Sequence, residues 1–347
     1  MFDPYEQVDL NDGCAPPHLN KRIGGKYLIQ KQVGSGSSAR VYSAKVYPGS
    51  DLVAIKILRE HASTRLGERR LALEGKALLA ISKHKNFVSV HDFGKTEAGE
   101  PYLVLDLVEN AVTLKQILKD YKVLNTDKAL DIGLQLIEAL RHMHSLGFIH
   151  ATFKPSDILL IDYFNQKTPD IKLIDLDSAL HPDEPDLQCT NTLGEGATFH
   201  YMSPELAQGL KVDSRTDIYN FGLVMYEMLT GRQPFDGLNT VEVFNNRLAS
   251  NIVPFKQAKP EIAHLNEIEE VLRCCLQCNM NKRIQSMAEL NHIVSNLRKG
   301  TADTMEFAVD LKNWDKLPRS AYGEPEEDVE DIQSQTWFGE LKKLMGR

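Results

Sequence analysis

The chain has 347 residues, 42% of them hydrophobic and 25% charged, the composition of a folded protein long enough for two lobes or domains. Its net charge of −8 argues against a nucleic-acid surface, which needs a clustered basic face, and no apolar run is long enough to span a bilayer stably. With no apolar leader in the first 24 residues and five scattered cysteines, the expectation is a cytoplasmic chain without a disulfide framework.

Residues 1–26 show no sustained periodicity and read as a flexible lead-in. From Tyr27 the residues alternate in the manner of a half-buried strand, through Ile29, Lys31 and Val33, into Gly34-Ser35-Gly36-Ser37-Ser38-Ala39-Arg40-Val41. Glycines there would let backbone N–H groups approach phosphate oxygens, although a plain hairpin has the same composition. In Val53-Ala54-Ile55-Lys56-Ile57-Leu58 the period of two puts Ala54 and Lys56 on one face, and a lysine among so many apolar neighbours needs an anion. A helix is expected over Leu71 to Ser82 with Glu74 near its start, followed by strands at Phe87–Val90 and Tyr102–Leu107.

Thereafter the period lengthens. Thr126 is the expected N-cap of a helix whose core stripe is Leu130, Leu134, Ile137 and Leu140, and Gly147 is its natural stop. His150-Ala151-Thr152-Phe153-Lys154-Pro155-Ser156-Asp157-Ile158-Leu159-Leu160 follows, then a short strand, Ile171–Ile174, ending in Asp175-Leu176-Asp177. Cys274, Cys275 and Cys278 lack a second ligand pair and read as core residues in a helical pattern. Near the C-terminus, Glu324 to Asp331 form an acidic run, and Trp337, Phe338, Leu341 and Leu344 then fall at helical spacing.

Taken together these motifs resemble the Ser/Thr protein kinases over residues 27–298, with an N-lobe at 27–106, a C-lobe at 107–298 and a linker and short amphipathic helix at 299–347. The resemblance rests on the Gly-rich loop, Val53-Ala54-Ile55-Lys56, the loop from His150, Asp175-Leu176-Asp177, Ala197-Thr198-Phe199-His200-Tyr201-Met202-Ser203-Pro204-Glu205 and Asp217-Ile218-Tyr219-Asn220-Phe221-Gly222. Lys154 and Thr198 match the Ser/Thr branch. It implies an α+β, bilobal fold: a small antiparallel sheet with one helix, a larger mostly helical lobe, and ATP between them. It further implies that Val33, Gly34, Gly36, Val41, Ala54, Lys56, Glu74, Asp106, Val108, Leu159 and Asp175 form the nucleotide site. Leu105 takes the gatekeeper position, Asp157 and Asp175 are the Mg2+ ligands, Arg283 pairs with Glu205, and a protein serves as substrate or signalling partner.

The departures concern chemistry. Ala151 stands where the family has Arg, Thr152 where it has the catalytic Asp, Asp157 where it has Asn, and Leu176 and Asp177 where it has Phe and Gly. A neutral hydroxyl at position 152 cannot serve as a carboxylate base, although Lys154 and Asp157 remain beside it. Three readings follow: a nucleotide-binding pseudokinase or very weak kinase acting through conformation and partners, a kinase using a modified mechanism, and an interaction scaffold without nucleotide.

Overall fold

The computed structural model describes residues 17–81, 84–182, 196–262 and 265–300, with the side chains of 196–198 excepted. The chain divides into two compact units. Of the described residues, the first takes 17–112 and 174–178 and the second takes the rest. The α+β, two-lobed expectation holds: one unit is built on an antiparallel sheet, the other on helices. The expected tail helix, with Trp337 and Leu341, and the expected lead-in up to residue 16 lie outside the described residues. No helix among those described is long and apolar enough to cross a membrane.

In the first unit, strands β1 (Arg22–Ile23), β2 (Tyr27–Ser35), β3 (Ala39–Val46), β4 (Leu52–Leu58), β5 (Val90–Lys95) and β6 (Pro101–Asp106) form a sheet in the order β1-β2-β3-β4-β6-β5. Tyr27, Ile29, Tyr42, Ala44, Val53, Ile55 and Val104 pack together as its apolar core, the burial that drives the strands to pair. Two expectations are corrected. The lead-in is structured by residue 17: the Lys21 carbonyl accepts from Ile29 N–H at 3.0 Å, and His18 is buried edge-on to Tyr42. Phe87 and Val88 are buried but lie before the strand, which instead runs through the polar residues from Val90 to Lys95. Apolarity marked the buried residues, whereas the sheet takes the neighbouring stretch as an edge strand with one face in solvent.

Helix α1 (Arg65–Ile81) starts well before the expected Leu71, so Glu74 sits mid-helix. Its charged first turns carry no apolar stripe to read. Gly67 is what lets them form, because a Cβ there would lie 2.0 Å from the Ala62 carbonyl oxygen. A short strand, β7 (Ala111–Thr113), closes the stretch.

The second unit opens with α2 (Leu114–Tyr121), whose first turn is capped by Thr113 Oγ1 accepting from Gln116 N–H at 3.1 Å. Helix α3 (Thr126–Ser145) is capped by Asn125, not by Thr126, through Asp127 N–H. Gly147 takes φ +78°, as its role after the helix requires. Strands β8 (Ile158–Ile161) and β9 (Asp170–Leu173) pair in antiparallel register, one residue short of the expected end at Ile174. Helix α4 (Arg215–Thr230) is buried on every side except at Arg215 and Glu227, which is why its sequence has no polar stripe. Glycines allow its close packing: a Cβ at Gly222 would meet Cys275 and Leu276 at 2.9 Å. Helices α5 (Thr240–Leu248), α6 (Asn266–Cys275) and α7 (Met287–Lys299) follow, with single helical turns at Pro204–Ala207 and Phe255–Ala258, and α7 packs on α3. Cys274 and Cys275 are buried, as expected of core residues, whereas Cys278, expected with them, is only half-buried.

Candidate active site

The first unit supplies an ion cluster. Lys56 Nζ donates to Glu74 Oε1 and Oε2 at 2.8 and 2.7 Å and to Asp175 Oδ1 at 2.6 Å. Strand β4 carries Lys56, α1 carries Glu74, and the segment 174–178 supplies Asp175 with its backbone at φ +65°. Leu176, fully buried, donates its N–H to Glu74 Oε1 at 3.3 Å. Arg70 from α1 donates to the Asp177 carbonyl at 3.3 Å.

Burial alone would lower the Lys56 pKa, but Asp175 and Glu74 together drive it above the ordinary lysine value. Burial pushes the Glu74 carboxyl up to about 7 against the pull of Lys56. One cation thus faces two carboxylates with Asp177 close behind, a surplus of negative charge.

The hairpin joining β2 and β3 carries the Gly-rich loop. Gly34 pairs with Val41, and Val41 with Lys56, so the loop and the lysine lie on neighbouring strands. Ala54 is buried and pairs with Leu105 of β6, while Val33 is half-buried. Two residues absent from the sequence reading hold the loop. Arg59 donates from Nε to the Gly36 carbonyl at 2.9 Å and from Nη2 to Ser35 Oγ at 2.8 Å, and His61 Nε2 lies 3.0 Å from the Ser37 carbonyl oxygen. Only the strand register reveals them: Ala39 opposite Leu58 places the residues after β4 beside the loop.

Asp106 uses its carboxylate internally, accepting from Ser89 N–H at 2.8 Å with His91 Nε2 2.6 Å away. Burial raises its pKa, and these hydrogen bonds outweigh that and hold it below the usual range. Val108 follows, half-buried, in the stretch beyond β6.

The second unit holds the loop from His150. Asp217, fully buried in the first turn of α4, accepts from His150 N–H at 3.0 Å and from Ala151 N–H at 2.7 Å, with His144 Nε2 2.7 Å away. These bonds hold Ala151 at φ +73°, a conformation that alanine adopts reluctantly. Thr152 is buried, its N–H donating to the His150 carbonyl at 3.0 Å. Asp157 is buried too: Oδ2 accepts from Lys154 N–H at 3.1 Å and Lys154 Nζ at 3.2 Å, and Oδ1 from Ser156 at 2.9 Å. Leu159 is buried on β8.

Farther along, Glu205 and Arg283 form a buried pair at 2.8 and 3.0 Å, joined by Thr216 Oγ1. Arg247, also buried, donates to the carbonyls of Phe199, His200 and Met202 at 3.0, 3.2 and 2.8 Å. The sequence reading missed it, because backbone carbonyls leave no mark in side-chain patterns. Thr198 lies in a 3-10 turn, Gly196–Tyr201, and its side chain is outside the description.

The residues of the first unit suit a magnesium-bound triphosphate. Lys56 is a charged donor, the surplus carboxylate charge calls for a divalent cation, and the Asp175 side chain remains 34% exposed to receive one. In the second unit, the Asp157 carboxylate is engaged with Lys154 and Ser156.

Comparison with known proteins agrees with this geometry. The family model described as protein kinase domain matches residues 27–294. The chain is 31% identical over 288 residues to a probable serine/threonine-protein kinase of Clostridium acetobutylicum, covering 82% of this chain and 42% of that protein. It is 35% identical over 245 residues to the serine/threonine-protein kinase PrkC of Bacillus subtilis, covering 70% and 36%. It is 30% identical over 294 residues to PknB of Mycolicibacterium smegmatis, covering 83% and 44%. The chain thus spans about two fifths of the length of these relatives.

Proposed function

The chain belongs to the protein kinase family, and from that premise we propose that it is a Ser/Thr-type kinase domain that binds Mg-ATP but transfers phosphate slowly or not at all. It acts in signalling through its conformation and a protein partner. The observation that carries this reading is Thr152, buried at the position where the family has its carboxylate base, in a chain whose first unit keeps a complete Lys56, Glu74 and Asp175 cluster.

When bound, Mg-ATP supplies the transferable phosphoryl group and the divalent charge. Lys56 holds phosphate oxygens, Glu74 keeps Lys56 charged and aimed, and Asp175 offers an oxygen to the metal. Proton removal from an acceptor hydroxyl has no group at position 152 to receive it. Loss of a general base lowers the rate by about 10²- to 10⁴-fold.

A second reading, phosphotransfer by a modified mechanism, draws on Asp157, a carboxylate already hydrogen-bonded to Lys154. A radiolabelled phosphotransfer assay run beside a Mg-ATP thermal-shift titration separates the two. Stabilisation with little transfer supports the first reading. Transfer at a rate usual for the family, abolished by Lys56→Ala and Asp157→Asn, supports the second. Absence of both leaves a scaffold without nucleotide.

A further inference from the structure

We propose that Arg59 and His61 are positioning residues that set the backbone of the Gly-rich loop to receive phosphate, a role that rests on the nucleotide-binding reading above. A stretch of glycine and serine is flexible, and a ligand that must order it gives up affinity in doing so. Here the order is built in. Arg59 donates from Nε to the Gly36 carbonyl at 2.9 Å, from Nη2 to Ser35 Oγ at 2.8 Å and from its backbone N–H to the Ser38 carbonyl at 2.8 Å. His61 Nε2 lies 3.0 Å from the Ser37 carbonyl oxygen, which can only accept, so that nitrogen carries the proton. The carbonyls of Gly36, Ser37 and Ser38 are thus all held by one short stretch of chain just past β4.

Peptide planarity turns this grip into an arrangement of donors. In a trans peptide the C=O of one residue and the N–H of the next point in opposite directions. With the Gly36 and Ser37 carbonyls drawn to Arg59 and His61, the N–H groups of Ser37 and Ser38 face away from both side chains. Neither N–H has a hydrogen-bond partner among the described residues. Gly36 N–H, by contrast, is used within the loop, donating to the Ala39 carbonyl at 2.9 Å. Adjacent backbone N–H groups left unpaired in a turn are what a phosphate oxygen binds.

Arg59 grips the loop without taking the place of Lys56. Ile57 packs with Tyr42 in the apolar core, on the face of the sheet opposite Lys56, and Arg59, two residues further on, leaves β4 on that same side. Its guanidinium is directed to Gly36 and Ser35, so its part is to shape the loop, while Lys56 is the cation for the phosphates.

Titrations of the full chain with Mg-ATP and with adenosine, which lacks the phosphates, test the assignment. Arg59→Gln should weaken Mg-ATP binding about tenfold, the worth of one charge-assisted hydrogen bond, and leave adenosine binding at its wild-type level. His61→Ala should give a smaller loss with the same selectivity. Arg59→Lys keeps the charge without the planar fork that spans Gly36 and Ser35, so it should stay closer to Arg59→Gln than to the wild type. In the ligand-free protein, hydrogen exchange at Gly36 N–H should quicken in Arg59→Gln, a readout that needs no nucleotide. Mg-ATP binding unchanged by Arg59→Gln, equal losses for Mg-ATP and adenosine, or full recovery by Arg59→Lys, which would make charge alone the cause, each overturns the proposal and leaves the nucleotide site standing. So does Gly36 exchange that is the same in both proteins. A wild-type chain that binds neither ligand removes the nucleotide reading and this proposal with it.

Discussion

Lys56 Nζ lies 2.6 Å from Asp175 Oδ1, although the two residues are 119 positions apart in the chain. Glu74 binds the same ammonium from another element, so one cation holds a strand, a helix and the segment from Ile174 to Ser178 together. Lys56→Ala therefore removes both the phosphate ligand and the partner of two carboxylates. Wild-type protein at a Mg-ATP concentration 100 times its Kd should gain about 2.7 kcal/mol of stability, and the variant should lose most of that gain. Thermal shift with and without Mg-ATP measures it, and an unshifted wild type would remove the nucleotide from the proposed function.

The Glu74 carboxyl, raised by burial to about 7, makes stability depend on pH. A carboxyl with a folded-state pKa above its unfolded value takes up a proton more readily when folded. Its stabilising contribution is complete below about 4.5 and is lost as pH rises through about 7. Glu74→Gln should flatten the fall in melting temperature across that window. An identical slope in both proteins would assign the dependence to other groups.

Arg283 and Glu205 are a buried pair with almost no solvent access. Burial raises the Glu205 pKa, and Arg283 more than offsets this and holds it below the ordinary range. Arg283→Met leaves a carboxylate buried without its counter-charge, which typically costs about 3–5 kcal/mol. Urea unfolding should show that loss for Arg283→Met and a smaller one for Arg283→Met combined with Glu205→Leu.

Thr152→Asp restores a carboxylate in a loop whose backbone is already held by Asp217. Phosphotransfer should rise by up to the two to four powers of ten that a general base contributes. Rescue is expected to be partial, because Asp157 and Asp177 stand where the family has uncharged residues. A rate unchanged by the substitution would mean that the missing base is not what limits transfer.

Much of this protein is written in local patterns. The alternation in Val53–Leu58, the burial of Leu130, Ile137 and Leu140 and the stop at Gly147 depend on neighbours two to four positions away and formed where the pattern puts them, whereas Leu134 of the expected stripe is only half-buried and Leu136 is buried instead. The family motifs also mark Lys56, Glu74, Asp175, Arg283 and Glu205 in the sequence itself. What local pattern misread was set by packing. The start of α1 has no apolar stripe and depends on Gly67 clearing a carbonyl, and β5 is a polar edge strand whose ladder partner is β6.

The convergence of Lys56, Glu74 and Asp175 on one ammonium, the hold of Arg59 and His61 on the Gly-rich loop, and the capture of three carbonyls by Arg247 belong to the tertiary structure alone. Composition and spacing determined which residue types were at hand and which elements they build, because those follow from interactions within a turn or a pleat. Strand register and helix docking decided which of them meet, because a side chain's partner across 20 or 100 positions is fixed only when the backbones between them have been placed.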